Sequence, residues 1–212
     1  MKRVFATLAL CIAMMAFAGL AYADEVTVDG STLGRFNGSG SFVGSVSLSG
    51  LTFTGSIFGD SACAGCGTTA GGVLGIGGVP NVLGSFSLSN TAHNYNGNTF
   101  TLQVTFTLPG GVTSANPTQY SATLTGRVTS VPAGGVVINF DNTPVTFTFS
   151  NPDASGTFTF NVNDLSVTHG HTAYITGSIF NASQGVPEPA SMVLLGSGLL
   201  SAGTFLRRKL HA

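Results

Sequence analysis

Two short motifs in this sequence carry residue types able to do chemistry. Cys63-Ala64-Gly65-Cys66 places two thiols three positions apart, and His169-Gly170-His171 places two imidazoles two positions apart. Cys11 lies in an N-terminal apolar segment that should be removed, so Cys63 and Cys66 are the cysteines of the mature chain. An even pair in an exported chain predicts a disulfide, here one that staples the Gly-rich stretch running on to Val79. Two alternatives stand beside it. Redox chemistry needs a strand–helix context with a helix starting at the first cysteine, and none is visible. Zinc needs four N or S ligands, and Cys63, Cys66, His169 and His171 would supply them. In an extended segment the two histidines share one face. Histidines in a surface turn are the plainer expectation, so no metal and no cofactor is assigned.

Other catalytic patterns are thin. No Gly-x-Ser-x-Gly elbow is present for a serine hydrolase. The acids are scattered, without the paired carboxylates of a glycosidase. Asn94-Tyr95-Asn96-Gly97-Asn98 resembles a calcium loop only in outline, because it lacks carboxylates, and reads as a turn. Gly71 to Gly78 opens no helix, which argues against a phosphate cradle. The chain is expected not to be an enzyme. Sugar binding is the functional alternative, but platforms for sugars favour exposed Trp and Tyr. The chain has no Trp, and its central part has only Tyr95, Tyr120 and Tyr174.

The elements that must position these groups are strands. Phe100, Leu102, Val104, Phe106 and Leu108 alternate with Thr99, Thr101, Gln103, Thr105 and Thr107, giving one apolar and one polar face. The pattern repeats at Val145-Phe147-Phe149, at Phe158-Phe160-Val162 and at Tyr120-Ala122-Leu124-Val128. It also appears across Val46, Leu48, Leu51 and Phe53. Turn signals separate these runs: Pro109-Gly110-Gly111, Pro132-Ala133-Gly134-Gly135, Asn142-Thr143-Pro144 and Asn151-Pro152-Asp153. About eight to ten short strands follow, and an all-β antiparallel sandwich or jelly roll is the expected fold, with a parallel β-helix second. Thr54-Gly55-Ser56-Ile57-Phe58 recurs as Thr176-Gly177-Ser178-Ile179-Phe180. It marks equivalent strands in which Gly makes a bulge or a close packing point, or else arises by chance in a Ser/Thr/Gly-rich chain.

Charge divides the chain of 212 residues into three parts. Only 7% of residues are charged, against about 25% in ordinary soluble proteins, yet the central part has no long apolar run. Five of seven basic residues lie at the ends. Between Asp24 and Gly185 only Arg35 and Arg127 oppose seven acids, a net charge of −5 without a lysine. A nucleic-acid partner is therefore not expected, since phosphate binding needs clustered cations. Lys2 and Arg3, an apolar run from Val4 to Leu20, and Ala21-Tyr22-Ala23 form a signal peptide, helical in its apolar part, with cleavage expected before Asp24. The Sec translocon is the implied partner. At the other end, Ala190 to Leu206 spans about 25 Å as a helix, the short end of a membrane span. Arg207, Arg208 and Lys209 should hold its end in the cytoplasm. Both termini thus place positive charge inside and residues 24–185 outside. The expected organisation is residues 1–23 as signal, 24–185 as β-sandwich body and 186–212 as tail with a single transmembrane helix.

Pro187 and Pro189 lack backbone donors and extend the residues before them, so Glu188 should sit in an exposed extended segment ahead of the helix. Ser197 with Ser201, and Gly198 with Ala202, have the four-residue spacing that lets helices approach closely, although such residues are also ordinary in membrane helices. Val186-Pro187-Glu188-Pro189-Ala190-Ser191, the Leu- and Gly-rich span and Arg207-Arg208-Lys209 resemble the PEP-CTERM sorting signal over residues 186–212. The resemblance implies recognition by an exosortase, a membrane transpeptidase, with cleavage near the Pro-Glu-Pro segment. The precursor would be held transiently in the inner membrane, and the product would reach the cell surface or the extracellular matrix. It also implies an association with exopolysaccharide, which is the source of the sugar-binding alternative.

Overall fold

Period-two runs become strands because alternate side chains can then face one core. The computed structural model describes residues 25–63, 71–74, 82–113, 116–131, 133–152 and 154–185. Among these, fifteen strands, numbered in chain order, form three sheets, and every pairing is antiparallel. The described residues are all-β. A parallel β-helix is thereby excluded for the described residues. The expected eight to ten strands were too few, because corners and short glycine-containing segments divide the chain more finely than its hydrophobic runs do.

The large sheet runs β13 (Leu165–Thr168), β10 (Gly134–Phe140), β9 (Thr118–Val128), β8 (Thr99–Leu108), β1 (Glu25–Phe36) and β4 (Ile57–Cys63), with β7 (His93–Asn94) also on β9. A second sheet runs β11 (Val145–Ser150), β12 (Ser155–Val162), β15 (Gly177–Gly185) and β5 (Gly71–Leu74). A third runs β14 (Thr172–Tyr174), β6 (Ser85–Leu88), β3 (Leu51–Thr54) and β2 (Ser45–Leu48). Strand β8 has the span read from its alternation, and its Phe, Leu and Val residues from Phe100 to Phe106 are buried.

One face of the large sheet is covered by both smaller sheets. Near one end of β8, Phe100 packs 4.9 Å from the rings of Phe53 and Phe86 in the third sheet. Six residues along, Phe106 packs 4.7, 5.1 and 5.3 Å from Phe147, Phe158 and Phe160 in the second sheet. All five pairs are tilted or edge-to-face, the arrangement aromatic quadrupoles favour. One strand thus anchors two aromatic clusters about 20 Å apart.

Strand β1 was not legible as a hydrophobic run, because its inward positions include Gly30, Thr32 and Gly34. Rings from other strands fill the space those small residues leave. A Cβ on Gly34 would come within 2.5 Å of the Phe100 ring, and one on Gly30 within 2.5 Å of the Phe58 ring. Thr32, one of the few buried polar residues, donates to the Leu83 carbonyl at 2.7 Å and accepts from Ser56 N–H at 3.0 Å.

The two copies of Thr-Gly-Ser-Ile-Phe occupy equivalent corners. Strands β3 and β14 flank β6 on opposite sides. After β3 the chain crosses to the large sheet as β4, and after β14 it crosses to the second sheet as β15. Both corners are tied to the lead-in of β6. Leu83 N–H donates to Ile175 O, Ile175 N–H donates to Gly84 O, and the Thr32 hydroxyl bridges Leu83 O and Ser56 N–H. Glycine is required by close approach: a Cβ on Gly55 would lie 2.3 Å from Thr32 O, and one on Gly177 2.8 Å from the Phe160 ring.

Candidate functional site

The histidines of the sequence motif sit in a tight turn, not an extended segment. Gly170 has φ of +73°, and His171 N–H donates back to Thr168 O at 3.1 Å. The His169 ring nitrogen Nδ1 lies 3.1 Å from Gly134 O. The shared face that an extended segment would have given them is therefore lost. Cys63 ends β4, opposite Glu25 on β1, while Cys66 lies outside the described residues. Nor do the strands that hold the two repeat copies pair with each other, which would have brought Cys63 toward His171. Instead β4 pairs with β1, and β15 pairs with β12 and β5. Among the described residues no three His, Cys, Asp or Glu side chains converge as a metal site would require.

The Asn94–Asn98 segment is a turn, as its sequence indicated. Asn94 Oδ1 accepts from Asn96 N–H at 3.1 Å, and Asn96 Oδ1 accepts from Gly126 N–H at 2.7 Å. Its amides are occupied in holding β7 and β9 together.

Two of the three tyrosines available for stacking on a sugar are inside. Tyr95 is buried, and its hydroxyl donates to Ser49 O at 2.8 Å. Tyr120 is buried, and its hydroxyl donates to Phe160 O at 3.2 Å. Burial raises both phenols above their ordinary value of 10.0, because the anion would be stranded away from water. Tyr174 alone of the three is half exposed, at 49%.

The polar surface is built by the large sheet. Its outer face carries Thr99, Thr101 and Gln103 of β8 directly opposite Thr123, Ser121 and Gln119 of β9. Asn139 of β10 lies opposite Thr123. A shallow, open depression of about 310 Å³ is lined by Thr99, Ser121, Thr123, Asn139 and Asp141, with Ala122 and Phe140 as its apolar part. The Asp141 carboxylate is held below its usual range by hydrogen bonds from the Thr143 hydroxyl and backbone N–H, at 2.6 and 3.1 Å. At the far side of this face Arg35, opposite Thr101, lies over the Phe42 ring at 4.3 Å. This cation–π pair has no signal in the sequence, since the two residues are seven apart and belong to different segments. A row of hydroxyls and amides can exchange hydrogen bonds with water or a polyol.

Signal cleavage at Ala21 and Ala23, the Val186–Pro189 segment, the apolar span and the basic triplet Arg207, Arg208 and Lys209 all lie outside the described residues. Among the described residues no helix is long and apolar enough to cross a membrane. No curated protein and no solved structure matches this chain. Residues 185–209 match the PEP-CTERM protein-sorting motif, the mark of an exported protein sorted by an exosortase.

Proposed function

We propose that this chain is a non-enzymatic component of the cell surface or extracellular matrix. An exosortase delivers it by cutting near Glu188 after a signal peptidase has cut before Asp24. The observation that carries the reading is the sorting motif at residues 185–209. The body is an antiparallel β-sandwich of jelly-roll kind, a reading supported by the aromatic contacts of one face of the large sheet with both smaller sheets. Its outer face, rich in Thr, Ser, Gln and Asn, suits a hydrated surface with few charges. The precursor spans the inner membrane once, through Ala190–Leu206, and leaves that helix behind.

Mass spectrometry of both termini of the mature protein from its native host tests this. The expected product begins at Asp24 and ends close to Glu188. Recovery of surface protein still carrying Arg207-Arg208-Lys209 would overturn the sorting claim.

A second reading is a module that binds the cell's own polysaccharide. It draws on the opposed hydroxyl and amide rows of β8 and β9, groups able to exchange hydrogen bonds with sugar hydroxyls. Saturable binding of the protein on a glycan array would favour it over the purely structural role.

A further inference from the structure

Strand β2 is an edge strand whose outer side is unpaired. Ser49 and Gly50, both at positive φ (46° and 93°), form a two-residue turn that sets Leu48 opposite Leu51. In such a hairpin alternate residues bond across to the partner strand, starting with the pair beside the turn. Leu48 and Val46 therefore bond to Leu51 and Phe53 of β3, and Gly44 O accepts from Gly55 N–H at 2.7 Å in the same phase. Ser45 and Ser47 turn their N–H and C=O groups the other way. Among the described residues these backbone groups have no hydrogen-bond partner, and both serines are exposed.

Sheet edges are usually guarded by charge, proline, a bulge or a covering segment. At β11, an edge of the second sheet, Val112 bridges to Phe149 and Thr113 N–H donates to Thr148 O at 3.1 Å. Strand β2 is guarded only by being short. Its sequence, Ser-Val-Ser-Leu, has no charge and no proline. On its inward face Val46 and Leu48 are half buried at the margin of the core, and Val43 just before them is 40% exposed. On its outer face Ser45 lies opposite Thr54 and Ser47 opposite Thr52, so hydroxyl rows of the third sheet run out to this edge. A second copy of the strand meets no like charge here, and it has the same apolar margin to cover.

We propose that two copies of this chain pair through β2, antiparallel and related by a two-fold axis at Val46. The geometry is self-complementary. Ser45 of each copy lies opposite Ser47 of the other. Both residues carry outward N–H and C=O groups, so each such pair exchanges two backbone bonds and the contact holds about four. Val46 lies opposite its own copy as a non-hydrogen-bonded pair, with Cα atoms about 4.5 Å apart, and the two half-buried side chains cover each other. The four-stranded third sheets of the two copies become one continuous sheet. A two-fold contact closes on itself, so assembly ends at the dimer. Strand β14, at the other edge of the third sheet, is one residue shorter and brings only Ala173 to its apolar side, so it gains less from a copy. The contact is small, which makes the association weak and dependent on chain concentration.

Sedimentation equilibrium of the full chain in density-matched detergent, up to about 100 μM chain, tests the pairing. A monomer–dimer equilibrium is expected. Ser47→Pro removes an outward N–H that serves nothing within the chain, a substitution edge strands tolerate. It should weaken the dimer by about tenfold or more, with thermal melting of the dilute variant close to the parent's. Val46→Cys is an independent readout. It should form a disulfide-linked dimer on a non-reducing gel that neither the parent chain nor Ser47→Cys forms, because the Ser47 positions of two copies lie beyond the about 7 Å that the bond spans between Cα atoms. The proposal is overturned by a chain that stays monomeric to about 100 μM, by assemblies that grow beyond the dimer, or by a dimer that survives unchanged in folded Ser47→Pro. Should Ser47→Pro not fold, the crosslink decides, and its absence from Val46→Cys overturns the pairing.

Discussion

Thr32 shows how one buried hydroxyl can organise a β protein. Its side chain serves Leu83 O and Ser56 N–H, tying β1 to the lead-in of β6 and to the first Thr-Gly-Ser-Ile-Phe corner. Thr32→Val keeps the shape but strands both partners away from water. It should cost about 1–3 kcal/mol, read as a lower urea midpoint, since an orphaned buried polar group bears its full desolvation penalty. A Thr32→Ser variant, which keeps the hydroxyl, should lose clearly less. Tyr120 makes a separate prediction about pH. Its folded phenol is raised by burial above the unfolded value of 10.0, so the folded state retains a proton that the unfolded state gives up. Stability is therefore complete below about pH 10 and falls as pH rises from there toward the folded value. Tyr95 acts in the same direction. Tyr120→Phe should flatten that alkaline decline in urea midpoints measured between about pH 9 and about pH 12. An unchanged slope would assign the decline to other groups.

At the scale of elements, the repeated Thr-Gly-Ser-Ile-Phe segment marks where strands change sheets. The corner works because Gly55 lets backbone approach backbone. A methyl there would lie 2.3 Å from Thr32 O, a fixed carbonyl and not the end of a flexible side chain. Gly55→Ala should thus destabilise by about 1–3 kcal/mol through forced displacement. Gly44→Ala is the control, because a Cβ there meets nothing within 4 Å and should be nearly neutral. Equal effects of the two substitutions on thermal melting would show that the corner tolerates displacement. The same elements explain why the histidine motif lost its shared face. The turn after β13 must reverse from the large sheet to the third sheet, and Gly170 at positive φ makes that reversal tight.

At the scale of the whole molecule, the proposed processing would change the charge of the protein. Lys2 and Lys209 lie in the end segments, and no lysine lies between them. A product cut at both ends therefore carries one reactive amine, the α-amino group of Asp24. Amine-reactive labelling of the mature protein from the native host should give a single tag at that terminus. Two tags, one on Lys209, would place the basic triplet on the mature chain and contradict the cut near Glu188. Such removal would also leave a body with seven acids and, as its cations, Arg35 and Arg127. That body repels polyanions at low salt and attracts divalent cations.

The sorting tail, the all-β character and strands such as β8 were determined by sequence alone, because each depends on local order: charge, apolar length, Pro-Glu-Pro, or strict alternation. Strand β1 was not legible, because its core positions are Gly and Thr and the rings that complete them, from Phe58, Phe100 and Phe53, come from elsewhere in the chain. The same holds for the meeting of Asn139, Asn142 and Asp164. Its members look like ordinary turn residues until two sheets bring the ends of β10 and β12 together. Tertiary structure also decided that Tyr95 and Tyr120 face inward, a matter of which partner covers each face. Periodicity states that a strand has two faces. Only packing states what lies against them.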